Sequence, residues 1–313
     1  MNKVGYCCIS LGINEGLKKK DHISVNRGMV KKTFESKGLK YVSELIIPNL
    51  LDTIKVLNYN LSKGIEVYRM SSDSFPWMTH YRFTDLPDFD RINKLLIKIG
   101  EIVKTNGMRV SYHPGPFNIL GSEREDVVIK TIDELDKHAE LMDLMGLEKT
   151  TFHPINIHLN VTTPTHELAA ERFCTNFHRL GDSTKARLTI ENDDKPSQYS
   201  VRMLHELVYQ RIGIPIVVDS LHYSCHPDNM SWEETLKLGL STWKTKPICH
   251  HSSSKKLHED DKVILSAHAD FLYESFDSCG YEVDIELECK QKDIALFKYL
   301  SQFNFPYVSE SNI

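Results

Sequence analysis

The chain has 313 residues, of which 41% are hydrophobic and 26% charged, so it can bury a large core and is not a disordered segment. No apolar run reaches the roughly 18 residues that a membrane span needs. The net charge of −5 argues against a protein that coats nucleic acid, unless bound divalent cations supply positive charge.

The seven cysteines are scattered, and none forms a Cys-x-x-Cys pair. This pattern argues for reduced thiols and against a disulfide framework or a cysteine-type zinc site. The N-terminus shows no charged-then-apolar signal segment. We therefore expect an intracellular protein, in the cytoplasm, nucleoid or nucleus.

Short β-branched runs alternate with helical patterns along the chain. Near-continuous apolar runs are typical of parallel strands that helices cover on the outside. The predicted strands are Lys3–Ser10, Ile65–Ser72, Arg109–His113, Lys149–His153, Arg187–Asn192, Ile214–Asp219, Pro247–Ser252 and Tyr281–Cys289.

The helical patterns lie between these strands. Ser-x-x-Glu capping boxes predict helix starts at Ser122, for a helix that ends at Gly146, and at Ser231. Further helices are predicted at Tyr41–Leu61, which Pro48 should kink, and at Asp90–Thr105, Thr165–Leu180, Tyr199–Arg211 and Lys292–Leu300.

Eight strand–helix units of about 39 residues each favour a single (β/α)8 TIM barrel over residues 1–313, with an apolar core. A doubly wound open sheet is the alternative fold. That fold would be expected to carry a glycine-rich phosphate loop after its first strand, and Gly5-Tyr6-Cys7-Cys8 is not one.

Histidines and carboxylates stand near the predicted carboxyl ends of the strands, which meet at one face of a barrel. Nitrogen and oxygen donors together suit zinc, manganese or iron, and their number predicts a cluster of two or three ions. The candidates are His113, His153, Glu191, Asp219, His222, His250 or His251, His268, and Glu286 or Glu288. Seven other histidines are expected to be ordinary surface or packing residues: His22, His138, His158, His166, His178, His205 and His258.

Each of these residues is a weak signal singly, but their order along the chain resembles the UV damage endonucleases, relatives of endonuclease IV among the metal-dependent TIM barrels. The stretches that carry this resemblance are Tyr68-Arg69-Met70-Ser71-Ser72-Asp73 with Pro76 and His80, His113-Pro114-Gly115, Phe152-His153-Pro154, Glu191-Asn192-Asp193-Asp194, Asp219-x-x-His222, His250-x-Ser252-Ser253 and His268-Ala269-Asp270. The resemblance covers most of the chain, from Gly5 to Asp293.

The resemblance implies a DNA repair endonuclease that nicks double-stranded DNA 5′ of cyclobutane pyrimidine dimers and (6-4) photoproducts, with no obligate protein partner. Manganese is the expected metal and zinc the alternative. The implied ligands are His113, His153, Glu191, Asp219, His222, His250, His268 and Glu288, with Glu191, Glu288 and His250 in catalytic roles. Contacts to the DNA or its lesion are expected from Tyr6, Ser10, Arg69, Pro116 and Phe117.

Three positions depart from the family pattern. Ile248 stands where the family usually has a lysine, which is carboxylated in known members. Pro116 replaces a probing glutamine, and Ser10 stands in for an asparagine. Because neither Pro116 nor Phe117 can read a base by a side-chain hydrogen bond, we expect apolar wedging by Phe117, with Tyr6 as a second wedge.

Three other functions fit the same residues. A sugar isomerase or epimerase would use the same barrel and metals in a small closed pocket. An abasic-site endonuclease of the endonuclease IV type would lack photoproduct activity. A catalytically silent damage-binding protein would bind the lesion without cleaving DNA.

Overall fold

Eight parallel strands form the centre of the structure, a computed structural model that describes residues 2–303. Their order in the sheet is β3-β2-β1-β8-β7-β6-β5-β4. A bridge between Tyr112 and Ile155 joins the two ends of this order and closes the ring. The strands are β1 Val4–Cys8, β2 Val67–Met70, β3 Arg109–Ser111, β4 Ile155–Ile157, β5 Leu188–Glu191, β6 Ile216–Asp219, β7 Ile248–His251 and β8 Asp284–Leu287.

Helices lie between successive strands, which confirms the predicted (β/α)8 TIM barrel. The last ten residues of the predicted 1–313 domain, and Met1, lie outside the described residues. The α-helices are α1 Lys31–Ser62, α2 Phe89–Thr105, α3 Glu125–Leu144, α4 His166–Phe177, α5 Asp182–Lys185, α6 Val201–Leu204, α7 Gln210–Ile212, α8 Ser220–Cys225, α9 Trp232–Leu240, α10 Lys255–His258 and α11 Lys292–Gln302.

The predicted position of the fourth strand is wrong. Residues 149–153 form turns, and β4 begins only after Pro154. A proline suits the start of a strand because it has no N–H to donate to the sheet. His153 therefore precedes β4, at the amino end of the barrel, and His158 is the histidine that follows the strand.

The two predicted capping boxes have different outcomes. At α9, Ser231 Oγ accepts from the backbone N–H of Glu234, and the Glu234 carboxylate accepts from that of Ser231, as predicted. The prediction at Ser122 is wrong, because α3 begins at Glu125 and Ser122 Oγ accepts from the N–H of Arg124. In α1, the residue with non-helical backbone is Gly38, with φ 61°, whereas Pro48 lies within the helix.

The core between the strands and the helices is apolar, as expected, but the lumen enclosed by the strands is not. Outward-facing strand residues pack with the helices in one apolar core. The inward-facing positions include a small apolar layer of Val67, Val217 and Ile248. They also carry charge, since buried Arg109 lies 3.1 Å from the carboxylate of buried Asp284.

Gly5 lets the first two strands approach closely. A Cβ atom at this position would lie 2.0 Å from the carbonyl oxygen of Val67 on β2. Backbone cannot yield at that distance, so only glycine fits here.

Two further observations concern the cysteines and the helices. All seven cysteines are free thiols. Of the helices between residues 2 and 303, none combines the length and apolar character required to cross a bilayer.

Candidate metal centre

Glu191, the last residue of β5, is buried at the centre of a cluster of four imidazoles, of which His250 is buried and the other three are partly buried. Its Oε2 atom lies 3.0 Å from His250 Nδ1, 3.1 Å from His113 Nε2 and 3.7 Å from His158 Nε2. Its Oε1 atom lies 3.4 Å from His222 Nδ1. The four histidines come from the carboxyl ends of β3, β4, β6 and β7, so the barrel itself assembles the cluster.

The cluster contains two sets of donors that could each hold a metal ion. One set is His113, Glu191, His250 and Glu288, and the other is His158, Glu191 and His222. Within each set, the donor atoms lie within 4.8 Å of one another. Glu191 belongs to both sets, so it would help to hold an ion in either of them.

Buried atoms without partners support this interpretation. Glu191 Oε1, His250 Nδ1 and Glu288 Oε1 are buried, and within residues 2–303 none has a hydrogen bond of good geometry. Two of them nevertheless face charged groups, since His250 Nδ1 lies 3.0 Å from Glu191 Oε2 and Glu288 Oε1 lies 2.5 Å from Arg69 Nη1. Leaving such atoms unsatisfied costs free energy. A divalent cation would satisfy all three, so the donor set fits a metal.

Neighbouring backbone carbonyls orient two of the histidines. His113 Nδ1 lies 3.3 Å from the carbonyl oxygen of Pro114, and His222 Nδ1 lies 2.9 Å from that of Asn192. If these nitrogens carry the proton and donate, the Nε2 atoms keep their lone pairs, as metal ligation requires. Burial lowers the pKa of His113, which favours the neutral ligand form.

The carboxylates of the cluster are ionised. Burial alone would raise the pKa of Glu191, but His250 and His158 outweigh it and hold the pKa well below its usual range. Burial likewise opposes protonation of His158 and His250, but Glu191 dominates and raises their pKa values to about 9 and about 10.

Arg69 was predicted to contact DNA, but the structure buries it inside the cluster. Its Nε atom lies 2.8 Å from Glu286 and its Nη1 atom 2.5 Å from Glu288. Its Nη2 atom lies 2.7 Å from His250 Nε2. Arg69 therefore organises the site from within the barrel and does not reach its surface.

The sequence left open the choice between His250 and His251 on β7 and between Glu286 and Glu288 at β8, and the contacts of these side chains distinguish them. His250 points into the barrel, whereas His251 points outward, with its ring nitrogens 2.7 Å from Ser220 Oγ and 3.0 Å from the Glu274 carbonyl. Glu286 and Glu288 both point inward. Glu286 lies deeper and is bound by Ser111 and Arg69, and it belongs to neither donor set.

His153 does not join the cluster that was predicted for it. Its Nδ1 atom lies 3.2 Å from the carbonyl oxygen of Val110, and burial lowers its pKa to about 4. His158, which was set aside as a packing residue, takes that place and also lies 3.1 Å from Asp193. The alternation Ile155-Asn156-Ile157-His158 after a proline was the sequence signal that could have identified it.

Asp219 and His268 lie beside the two donor sets. Asp219 is fully buried and caps α8 by accepting from the N–H of His222, and its Oδ2 atom has no hydrogen-bond partner in the described part of the chain. His268 Nδ1 lies 3.7 Å from Glu288 Oε2. Neither residue belongs to a donor set, but each adjoins a member of one, Asp219 through His222 and His268 through Glu288.

Two predicted DNA contacts are buried elsewhere. Tyr6 points out of the barrel, is 0% exposed and donates a hydrogen bond to Asn60 at 2.7 Å. Strand residues alternate faces, and β1 turns Tyr6 toward the helices, so it cannot act as a wedge. Ser10 is buried and donates to Asp293.

The loop after β3 behaves differently, since Pro116 is exposed and Phe117 is 88% exposed. At the position of the family's lysine, Ile248 packs in the apolar layer two residues below His250. The preceding lysine, Lys246, lies 2.6 Å from Asp284. Ile248 and Lys246 therefore supply no lysine ligand to the donor sets.

We expect the two histidines around β4 to respond differently to mutation. His158→Ala should lower the metal content, because it removes a partly buried donor that lies 3.7 Å from Glu191. His153→Ala should leave the metal content unchanged, because His153 lies at the opposite end of the barrel. Metal analysis of the two dialysed variants tests this, and metal loss in His153→Ala alone would reverse the assignment.

The sequence was also compared with known proteins. It matches the family described as UV-endonuclease UvdE over residues 2–311. The UV DNA damage endonuclease of Bacillus pumilus is 32% identical, over 82% of this chain and 80% of that protein. The UV-damage endonuclease of Schizosaccharomyces pombe is 30% identical over 96% of this chain, which spans only half of that longer protein.

Solved structures give a consistent result. The crystal structure of SacUVDE has a TM-score of 0.83 and 30% identity, and covers 97% of this chain and 99% of that one. Endonuclease IV from Thermus thermophilus has a TM-score of 0.56 at 14% identity, over 81% of this chain and 95% of that one, which is a likeness of fold alone. The chain therefore belongs to the UV-endonuclease UvdE family and is an endonuclease that acts on DNA.

Proposed function

We propose that this endonuclease is a metal-dependent DNA repair enzyme that nicks duplex DNA 5′ of UV photoproducts, including cyclobutane pyrimidine dimers and (6-4) photoproducts. The observation that carries the proposal is the position of Glu191, which belongs to two donor sets at the mouth of the barrel. The names of the relatives supply the lesion class.

The proposed ligands are the members of the two donor sets. Manganese is the expected metal and zinc the alternative. Divalent ions there would activate water and neutralise charge on the scissile phosphate. Six residues form the two donor sets. Asp219 and His268, which adjoin His222 and Glu288, are the proposed contributors to a third ion. The proposed ligands are His113, His158, Glu191, His222, His250 and Glu288.

Other side chains of the chain hold these ligands in place. Asn156 donates to Glu191 Oε2 and is itself fixed by Thr189, whose hydroxyl donates to the Asn156 carbonyl at 2.9 Å. Arg69 offsets part of the charge of Glu286 and Glu288. These contacts reduce the reorganisation that the site needs when it binds a phosphate.

Lesion recognition in this proposal begins at the loop after β3. Phe117 is exposed at the face where the donor sets open, and it can stack on bases but cannot read them by hydrogen bonds. Wedging should therefore tolerate different bases opposite the lesion. The exposed Lys18, Lys19 and Lys20 follow β1 on the same face and can contact phosphates.

Nicking of supercoiled plasmid tests the function. The protein should convert irradiated plasmid to the open circle with manganese, leave undamaged plasmid intact, and lose activity with a chelator. Cleavage of depurinated plasmid alone would indicate an abasic-site endonuclease. Binding of irradiated DNA without nicking would indicate a silent damage-binding protein, and activity in excess chelator would contradict the metal site.

A further inference from the structure

Exposed apolar residues concentrate in the segment between β7 and β8, at the carboxyl face of the barrel. Of the twelve exposed large hydrophobic residues within 2–303, four lie in this one segment: Leu257, Ile264, Leu265 and Tyr273. Leu257 and Ile264 are each 68% exposed. Single exposed apolar residues are normal, but a third of them in one loop beside an active site indicates a binding surface.

This segment folds as a hairpin. An antiparallel bridge joins Ser254 to His268, and the backbone N–H of Lys255 donates to the Ala267 carbonyl at 2.6 Å. Nearer the tip, which we define as residues 256–266, Lys256 Nζ donates to the carbonyl of Val263 at 3.2 Å. These bonds hold the tip in place while Leu257 and Ile264 stay exposed.

The base of the hairpin reaches the metal centre. His268 stands on the base and approaches Glu288, a member of one donor set. Tyr273 has a different role, since its ring stacks on His258 with centroids 4.5 Å apart and its hydroxyl donates to Glu259. The exposed apolar surface of the tip is therefore formed by Leu257 and Ile264, with Leu265 beside them.

The tip also lies across the barrel mouth from Phe117. In the closed strand order, β7 is four strands from β3 in either direction, so the loops that follow them stand on opposite sides of the cluster. Both loops border the mouth of the barrel in which Glu191 lies. Tyr6 is buried and cannot be the second wedge, so a wedge that acts with Phe117 would come from another exposed apolar residue.

We propose that Leu257 and Ile264 form a second apolar wedge, which enters the base stack of duplex DNA from the side opposite Phe117. The inference rests on the proposed function. Apolar side chains inserted between base steps unstack and kink a duplex. A photoproduct weakens the local stack, so wedges on two sides would favour damaged over intact DNA.

The test compares wild type with Leu257→Ala/Ile264→Ala on two duplexes that carry one cyclobutane dimer. One duplex is fully paired, and the other has mismatches opposite the dimer, so its stack is already open. We expect the double variant to lose about tenfold or more in affinity for the paired duplex and less than about threefold for the mismatched one. Ile97→Ala, which removes a 43% exposed side chain on α2, is the matched control and should change neither.

The other outcomes are decisive. Equal losses of affinity for both duplexes would show that the tip is a plain contact surface and would overturn the wedge. No loss of affinity for either duplex would also overturn it. Metal content and the thermal unfolding midpoint should be unchanged in the double variant, and metal loss would show that the hairpin acts through His268 instead. If wild type binds neither duplex better than undamaged DNA, the proposed function fails, and the wedge with it.

Discussion

Replacing Glu191 with glutamine is expected to abolish nicking and to remove most of the bound metal, while the barrel remains folded. Glu191 is the one residue that the two donor sets share, so its loss affects both. We expect the nicking rate to fall about a thousandfold or more. Metal analysis, plasmid nicking and circular dichroism of the same preparation measure the three effects.

Two control variants make this result specific. Glu140→Gln removes a 44% exposed carboxylate on α3 and should leave activity and metal content unchanged. Glu286→Gln alters a buried carboxylate that belongs to neither donor set, so it should retain more metal than Glu191→Gln. Normal metal content and activity in Glu191→Gln would remove the basis of the proposed site.

Replacing Asp284 with alanine is expected to lower the free energy of unfolding by about 3–5 kcal/mol. Arg109 is 1% exposed, and its guanidinium donates to Asp284 and to the backbone carbonyls of Phe152 and Pro247. Without Asp284, the buried positive charge of Arg109 has lost its carboxylate partner, and Lys246 loses its contact as well. Urea unfolding followed by circular dichroism measures the change.

An exposed ion pair provides the control for this variant. Arg82 and Asp85 lie 2.7 Å apart at the surface, and Asp85→Ala should cost less than about 1 kcal/mol. The double variant Arg109→Met/Asp284→Leu should recover much of the lost stability, because it removes both buried charges. A small effect of Asp284→Ala would mean that the backbone carbonyls alone suffice for Arg109.

The charged lumen links the stability of the barrel to its chemistry. The Arg109–Asp284 pair lies beside the apolar layer of Val67, Val217 and Ile248, since Val67 pairs with Arg109 and Ile248 with Asp284 in the sheet. In the same lumen, Arg69 holds Glu286 and Glu288. A lumen of this kind keeps the ligand side chains fixed. The stability of the barrel therefore depends partly on buried ion pairs, whereas a purely apolar core would not depend on charge.

The sequence alone determined the barrel and most of the residues around its mouth. Strand and helix periods repeat eight times, and in a parallel barrel every strand end must face the same side. His113, Glu191 and His222 could therefore be placed together before any contact was known. The choices of His250 over His251 and of Glu288 over Glu286 rested on the family resemblance. The spacing of these residues also carried the resemblance that the family match later confirmed.

The tertiary structure decided what depends on strand limits and on the face each residue takes. A turn at residues 149–153 moved the start of β4, so His158 and not His153 reached the cluster. Alternation along β1 turned Tyr6 into the apolar core, and alternation along β2 brought Arg69 into the lumen. Each side chain's face follows from where its strand begins and pairs, and in β4 a shift of five residues exchanged a buried packing histidine for a metal-ligand candidate.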